Sequence, residues 1–259
     1  MKTIVQEKLK KIEPRKSVIS KTPKVFITGD CHGDFSRFFQ FIDKEKDIIE
    51  QDIMICLGDF GANYYLNKRD RKNKEQLSKL PFIFLIVQGN HEQYPKYINT
   101  YKEKHIDTEM ITGDFYIEEE FPNLLFFKNG NEYRIKDKFY LVLGGAYSVD
   151  KFFRLEKGFQ WFSHEQMSLE EMTEIIKKIK NKPNKYDCVL SHTCPYNYIP
   201  THLFLPYINQ DLVDNSTELF LNDINNLISY NIWFCGHYHN NEQLWDKGYM
   251  LYDEIKEIL

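Results

Sequence analysis

Val25-Phe26-Ile27-Thr28-Gly29-Asp30-Cys31-His32-Gly33-Asp34 reads as a buried strand that stops on a glycine and delivers two metal-competent side chains. The continuous apolar start suits a strand covered on both faces. Gly33 lets the backbone turn tightly where a Cβ would crowd it. Asp30 and His32 alternate along the chain, so they converge on one ion only if the backbone bends there. A carboxylate paired with an imidazole suits Zn, Mn or Fe better than Ca or Mg. Just downstream, Phe35, Phe38, Phe39 and Ile42 repeat at helical spacing, with Asp34 where an N-cap belongs. Strand, glycine-bearing loop and helix form the first half of a βαβ unit. Alone, the Asp-x-His loop is a modest hint.

The pattern recurs. Ile53–Leu57 is a short apolar run ending in Gly58-Asp59-Phe60-Gly61-Ala62-Asn63, and Phe82–Val87 is another, ending in Gln88-Gly89-Asn90-His91-Glu92. Further on, Cys188-Val189-Leu190 leads into Ser191-His192-Thr193-Cys194-Pro195, and Ile232–Cys235 into Gly236-His237-Tyr238-His239. In open α/β sheets, ligands bind outside the carboxyl ends of the strands. Five strand ends carrying Asp, Asn and His therefore predict one composite site.

Between these blocks, residues 67–79 read as a charged helix or loop, and 93–123 as a polar, aromatic insertion over the site. Runs at 124–128, 132–135 and 139–143 predict consecutive strands, with a hairpin signal at Asn129-Gly130. Ser168 and Glu171 form a capping box opening an amphipathic helix, and another helix is expected near 216–229. The Lys-rich start, 1–22, reads as an arm ahead of a single domain at 23–259.

Composition narrows the classes. At 42% hydrophobic and 28% charged residues the chain reads as an ordinary globular protein, and 15% aromatics argue against extended disorder. A net charge of -4 without long like-charge blocks offers no clear nucleic-acid surface. No apolar run approaches a membrane span, and no signal-peptide pattern is present, so no membrane partner is expected. Five cysteines without a CxxC pair suggest reduced thiols and a cytoplasmic setting.

The five blocks, in this order, resemble those of the calcineurin-like metallophosphoesterase superfamily from about residue 24 to 253. The resemblance implies an α/β fold, a four-layer α-β-β-α sandwich of two mixed sheets flanked by helices. It also implies two divalent transition-metal ions, manganese in first place with Fe, Zn, Ni or Co as alternatives. Asp30, His32 and His239 would hold one ion, and Asn90, His192 and His237 the other, with Asp59 bridging. Such ions sit about 3.5–4 Å apart and clamp the oxygens of an in-line displacement. Five imidazoles and two carboxylates would be expensive to bury together without cations. The implied reaction is attack on phosphorus by a hydroxide bridging the metals, with the non-ligand His91 stabilising or protonating the leaving group.

One departure matters. Protein Ser/Thr phosphatases of this superfamily carry GDxVDRG in the second block, where Asp supports the catalytic histidine and Arg binds phosphate. Here those positions are Ala62 and Asn63, which argues against a protein phosphatase. Arg154 or Lys151, after the Gly144-Gly145 turn, is the candidate replacement phosphate clamp. Loop tyrosines, among them Tyr64, Tyr65 and Tyr147, could stack on a substrate ring. The expected activity is hydrolysis of a phosphomonoester or nucleotide-type small molecule. The alternatives are a phosphodiesterase or nuclease of the same fold, or a non-catalytic scaffold, against which the retained His91 speaks.

Overall fold

The computed structural model describes residues 22–181 and 185–259. All but the last residue of the expected N-terminal arm thus lies outside the described residues. Strands β1 (Val25–Thr28), β2 (Asp52–Cys56) and β3 (Phe82–Ile86) are parallel neighbours, with Ile27 opposite Ile55 and Ile55 opposite Leu85. Alternate residues face opposite ways, as the pleat requires. Val25, Ile27, Ile55 and Leu85 turn into one apolar core, and Phe26, Met54 and Phe84 into a second. Helix α1 (Ser36–Lys44) covers that second core with the fully buried Phe38, while Phe39 is left largely exposed. The N-cap position falls to Phe35, which has no side-chain cap, and not to Asp34 as expected; Asp34, one residue earlier, accepts the Ser36 amide at 2.9 Å. The charged segment forms helix α2 (Lys68–Leu77), capped by Asn67 and tied inward by a buried Lys74–Glu118 pair at 2.6 Å.

The second half repeats the scheme. β8 (Lys138–Leu143), β9 (Lys185–Ser191), β10 (Ser229–Cys235) and β12 (Gly248–Met250) run parallel to one another in that order. The edge strands β11 (Glu242–Trp245) and β13 (Lys256–Glu257) are antiparallel, on β12 and β1 respectively. Helices α4 (Leu169–Lys180), which carries the expected capping box, and α5 (Ser216–Leu227) pack on Leu141, Val189 and Trp233. A short helix α3 (Lys151–Lys157) follows the Gly144-Gly145 turn and carries both candidate clamp residues. Tyr140, Val142, Leu190 and Phe234 meet Val25, Ile55 and Leu85 in the shared central core. Helices outside the two facing halves give the expected four layers, but the two sheets expected are one continuous curled sheet. Among the described residues no helix is long and apolar enough to cross a membrane.

The stretch expected as an insertion over the site builds the sheet instead. β4 (Tyr101–Asp107) and β5 (Ile111–Glu118) form an antiparallel hairpin. β5 then pairs with β6 (Leu124–Phe127) through Phe115–Ile117 and with β7 (Asn131–Ile135) through Ile111 and Thr112. It thereby joins both halves into one curled sheet. β6 and β7 flank the Asn129-Gly130 turn, but each pairs with β5 along this stretch. Burial of Ile111, Phe115 and Ile117 in the central core supplies the reason.

Candidate active site

The carboxyl ends of β1, β2, β3, β9 and β10 converge, and the backbone bends sharply to let them. His32, Asp59, His237 and His239 all have positive φ, between 44° and 73°. Non-glycine residues adopt this conformation rarely and at a conformational penalty, typically at functional sites. Two glycines permit the close approach. A Cβ on Gly89 would lie 2.1 Å from the Asp59 amide nitrogen, and one on Gly236 would lie 2.3 Å from Asp30 Oδ1.

Asp30, His32 and His239 present ligand atoms to one another as one group. His239 Nε2 lies 3.3 Å from Asp30 Oδ2 and 2.9 Å from His32 Nε2. Asp30 Oδ1 accepts the His237 amide, whereas Oδ2 is buried without a hydrogen-bond partner. Arg37 fixes the loop from behind by donating to the Asp30 carbonyl at 2.7 Å. A buried carboxylate oxygen without a donor, beside two facing ring nitrogens, is the environment a divalent cation satisfies.

His192 and Asn90 form a second pair of facing side chains. His192 Nδ1 faces the Leu57 carbonyl at 2.7 Å, which assigns the proton to that nitrogen and turns Nε2 inward. Asn90 donates through Nδ2 to Ser148, so its Oδ1 faces His192 Nε2 at 2.8 Å. Two acceptors confront each other there unless a proton or a metal intervenes. Burial pulls the His192 pKa down, but Asp59 and Asp30 outweigh it and push the group up to about 9. The ring of His237 packs against that of His192 at 5.1 Å between centroids. Desolvation first, and the neighbouring His192 second, bring His237 down to about 3, although its ring still borders the open cleft.

Asp59 stands between the two groups. Its Oδ2 is 3.8 Å from His32 Nε2, and its Oδ1 is 3.6 Å from His192 Nε2. Burial raises the pKa of this carboxyl, but His192 and His91 more than compensate and hold it well below the usual range. His91 donates its amide to Asp59 Oδ1 at 2.7 Å. Its ring Nδ1 accepts from Arg154 Nη2 at 3.0 Å, and its Nε2 lies 3.5 Å from Asp150 Oδ1. Lys151 is not brought to this cluster; its ammonium rests 4.2 Å above the Trp161 ring. His105, His164 and His202 lie elsewhere, against Asp114, Ser163 and Glu242.

A family model described as calcineurin-like phosphoesterase matches residues 23–241. The chain belongs to this family. No curated protein matches the sequence. Among solved structures, a phosphopantetheinyl hydrolase from Mycobacterium tuberculosis is 10% identical, with 92% of this chain and 96% of that one covered at a TM-score of 0.46. TT1561 of Thermus thermophilus is 12% identical, with 92% and 98% covered at a TM-score of 0.43. Likenesses this distant say nothing about the substrate. Membership makes the chain a hydrolase of phosphate esters and implies divalent metal ions, for which the clustered His and Asp groups are suited.

Within the calcineurin-like phosphoesterase frame, two groups at this site escape a reading of the sequence blocks. Asp150 supplies a carboxylate beside His91 although the second block has Ala62 at the corresponding place. The same Asp150 accepts Arg154 Nε at 2.7 Å, one helical turn on. Their i, i+4 spacing next to the expected Arg154 is the sequence signal that could have found it. Glu92, fully buried, accepts the amides of Phe60 and Gly61 at 3.1 and 3.3 Å and so holds the Asp59 loop. Burial, reinforced by Asp59, raises its pKa to about 8.

Proposed function

We propose that this phosphoesterase works with two metal ions, manganese in first place, on a phosphomonoester or nucleotide-type small molecule. In this reading Asp30, His32 and His239 hold one ion, Asn90, His192 and His237 the other, and Asp59 serves both. The observation that carries it is the orientation of Asp59, whose two oxygens face histidines of different groups. Bound ions would supply Lewis-acid polarisation of the phosphoryl oxygens and a more acidic attacking water.

The protein's own groups would do the rest. His91, fixed through its amide on Asp59, sits at the rim where a leaving oxygen can take a proton from its ring. Asp150 Oδ1, 3.5 Å from Nε2, orients that ring. Arg154 now spends its donors on Asp150, His91 and Tyr64, and would release Nη2 to a phosphate oxygen on binding. All five cysteines are buried and unpaired, which supports a reducing, cytoplasmic setting.

The test compares p-nitrophenyl phosphate with bis-p-nitrophenyl phosphate, with added Mn and with chelator, in the native protein and in His91→Ala. Chelator-sensitive turnover of the monoester that drops by about 100-fold or more in the variant is expected. Preference for the diester would replace the monoester reading. Absence of both turnover and bound metal would sink the catalytic one.

A further inference from the structure

The ligand cluster opens into two cavities of contrasting character. On one side of His91 lies a polar cavity of about 450 Å³ bordered by Arg69, Asn73 and Arg154. On the other lies a larger cleft of about 780 Å³, bordered at the site by Asp59, Asn90, His91, His237 and His239. Away from the site, two separate pieces of chain give this cleft an apolar wall. Val149, just before α3, and Phe152 and Phe153 within it form one piece, and Leu205, Ile208 and Val213, from the segment between β9 and α5, the other.

Several of these side chains lie open to solvent, Phe152 at 67%, Phe153 at 54% and Leu205 at 46% exposure. A single exposed phenylalanine is ordinary. A group of them, continuous with a cluster of metal-ligating side chains, marks a surface that a ligand covers. Tyr147, Tyr207, Gln210, Asn215, Glu218 and Tyr238 also border the cleft, whereas the six wall residues offer no side-chain donor or acceptor. They offer only surface, which suits methylene groups.

We propose that the alcohol half of the substrate carries an extended alkyl chain, which lies along Phe153 and Leu205 while the phosphate is held at the ligand cluster. This inference rests on the phosphoesterase reading of the same site and narrows its substrate to an amphiphilic phosphate ester.

Two measurements test it, both kept below the concentrations at which the amphiphiles aggregate. Alkylphosphonates from methyl to decyl are titrated calorimetrically into metal-free and Mn-loaded protein, and kcat/KM is measured for the matching alkyl phosphates. Affinity should rise roughly two- to fourfold per methylene over the first several carbons, and kcat/KM should follow. Combined Phe153→Ser and Leu205→Ser should flatten that dependence. Leu169→Ser should keep it, because Leu169 is exposed but lies outside the cleft. Flat affinity, no binding of decylphosphonate to either form, or a dependence unchanged in the double variant overturns the inference. Chain-length-dependent binding without hydrolysis of any ester would instead sink the phosphoesterase reading and leave the groove standing. Equal hydrolysis of short and long esters with flat affinity would do the reverse.

Discussion

His91 Nε2 lies 3.5 Å from Asp150 Oδ1, and Arg154 is bonded to both residues, through Nη2 to the His91 ring and through Nε to Asp150 Oδ2. A carboxylate and a guanidinium, absent from the second block, are thus supplied by the start of α3. Removing the Asp150 charge should lower kcat without emptying the ligand cluster. For Asp150→Asn we expect kcat on p-nitrophenyl phosphate to fall about 10-fold or more, with metal per chain, read by elemental analysis, unchanged. Parallel loss of metal would make Asp150 merely structural.

Asp59 faces both ligand groups, whereas His239 faces only one. Metal content should therefore fall by one ion per chain in His239→Ala and by both in Asp59→Ala. Equal losses in the two variants would remove the bridging role.

Gly89 leaves no room for a methyl group beside Asp59. Gly89→Ala should destabilise the fold by about 1–3 kcal/mol, as overpacking does. It should also weaken metal retention, because what must shift is the Asp59 loop itself. Thermal unfolding and metal titration together check this, and unchanged metal affinity would contradict it.

The metal-free protein should lose stability as pH rises. His192 is raised from 6.5 to about 9, so its contribution is complete below pH 6.5 and is lost through pH 9. Glu92 is raised from 4.5 to about 8, so the folded chain holds that proton across a window where the unfolded chain has released it. Both groups bind more protons in the folded state, and both slopes have the same sign. We expect the midpoint temperature of the chelated protein to fall from pH 6.5 to 9. With Mn bound the trend should reverse over the lower part of that range, because metal binding expels the proton from His192. Differential scanning calorimetry at fixed ionic strength decides it.

Phe38 carries the contact between α1 and the strands β1–β3, with its ring 5.2 Å from that of Phe84. Phe38→Ala should destabilise by about 3–5 kcal/mol in denaturant titration. A change below about 1 kcal/mol would mean that α1 contributes little.

Much of this architecture is legible in the sequence for a physical reason. Strands buried on both faces must be apolar throughout, and Val25–Thr28, Asp52–Cys56 and Phe82–Ile86 announce themselves with their terminal glycines. β4 does not, because only Tyr101 and Ile106 are buried among Lys102, Glu103, Lys104 and His105. A strand with one face in water and few anchors looks like a loop. The proposed ligands stand out in the sequence because each follows a strand. Asp150 is not, because its meaning comes from His91, a neighbour only in the folded chain. Lys151 and Arg154 look interchangeable in sequence, and the ring of Trp161 separates them by holding one ammonium away.

The curled sheet has its own mechanical consequence. Among the described residues β5 stitches β6 to β7, and the proposed ligands are divided across that seam. Asp30, Asp59 and Asn90 follow strands of one half, and His192, His237 and His239 strands of the other. An ion held between them would be a rivet across that seam. Under load the chelated chain should part at this seam first, and the loaded chain should yield only when the rivet does.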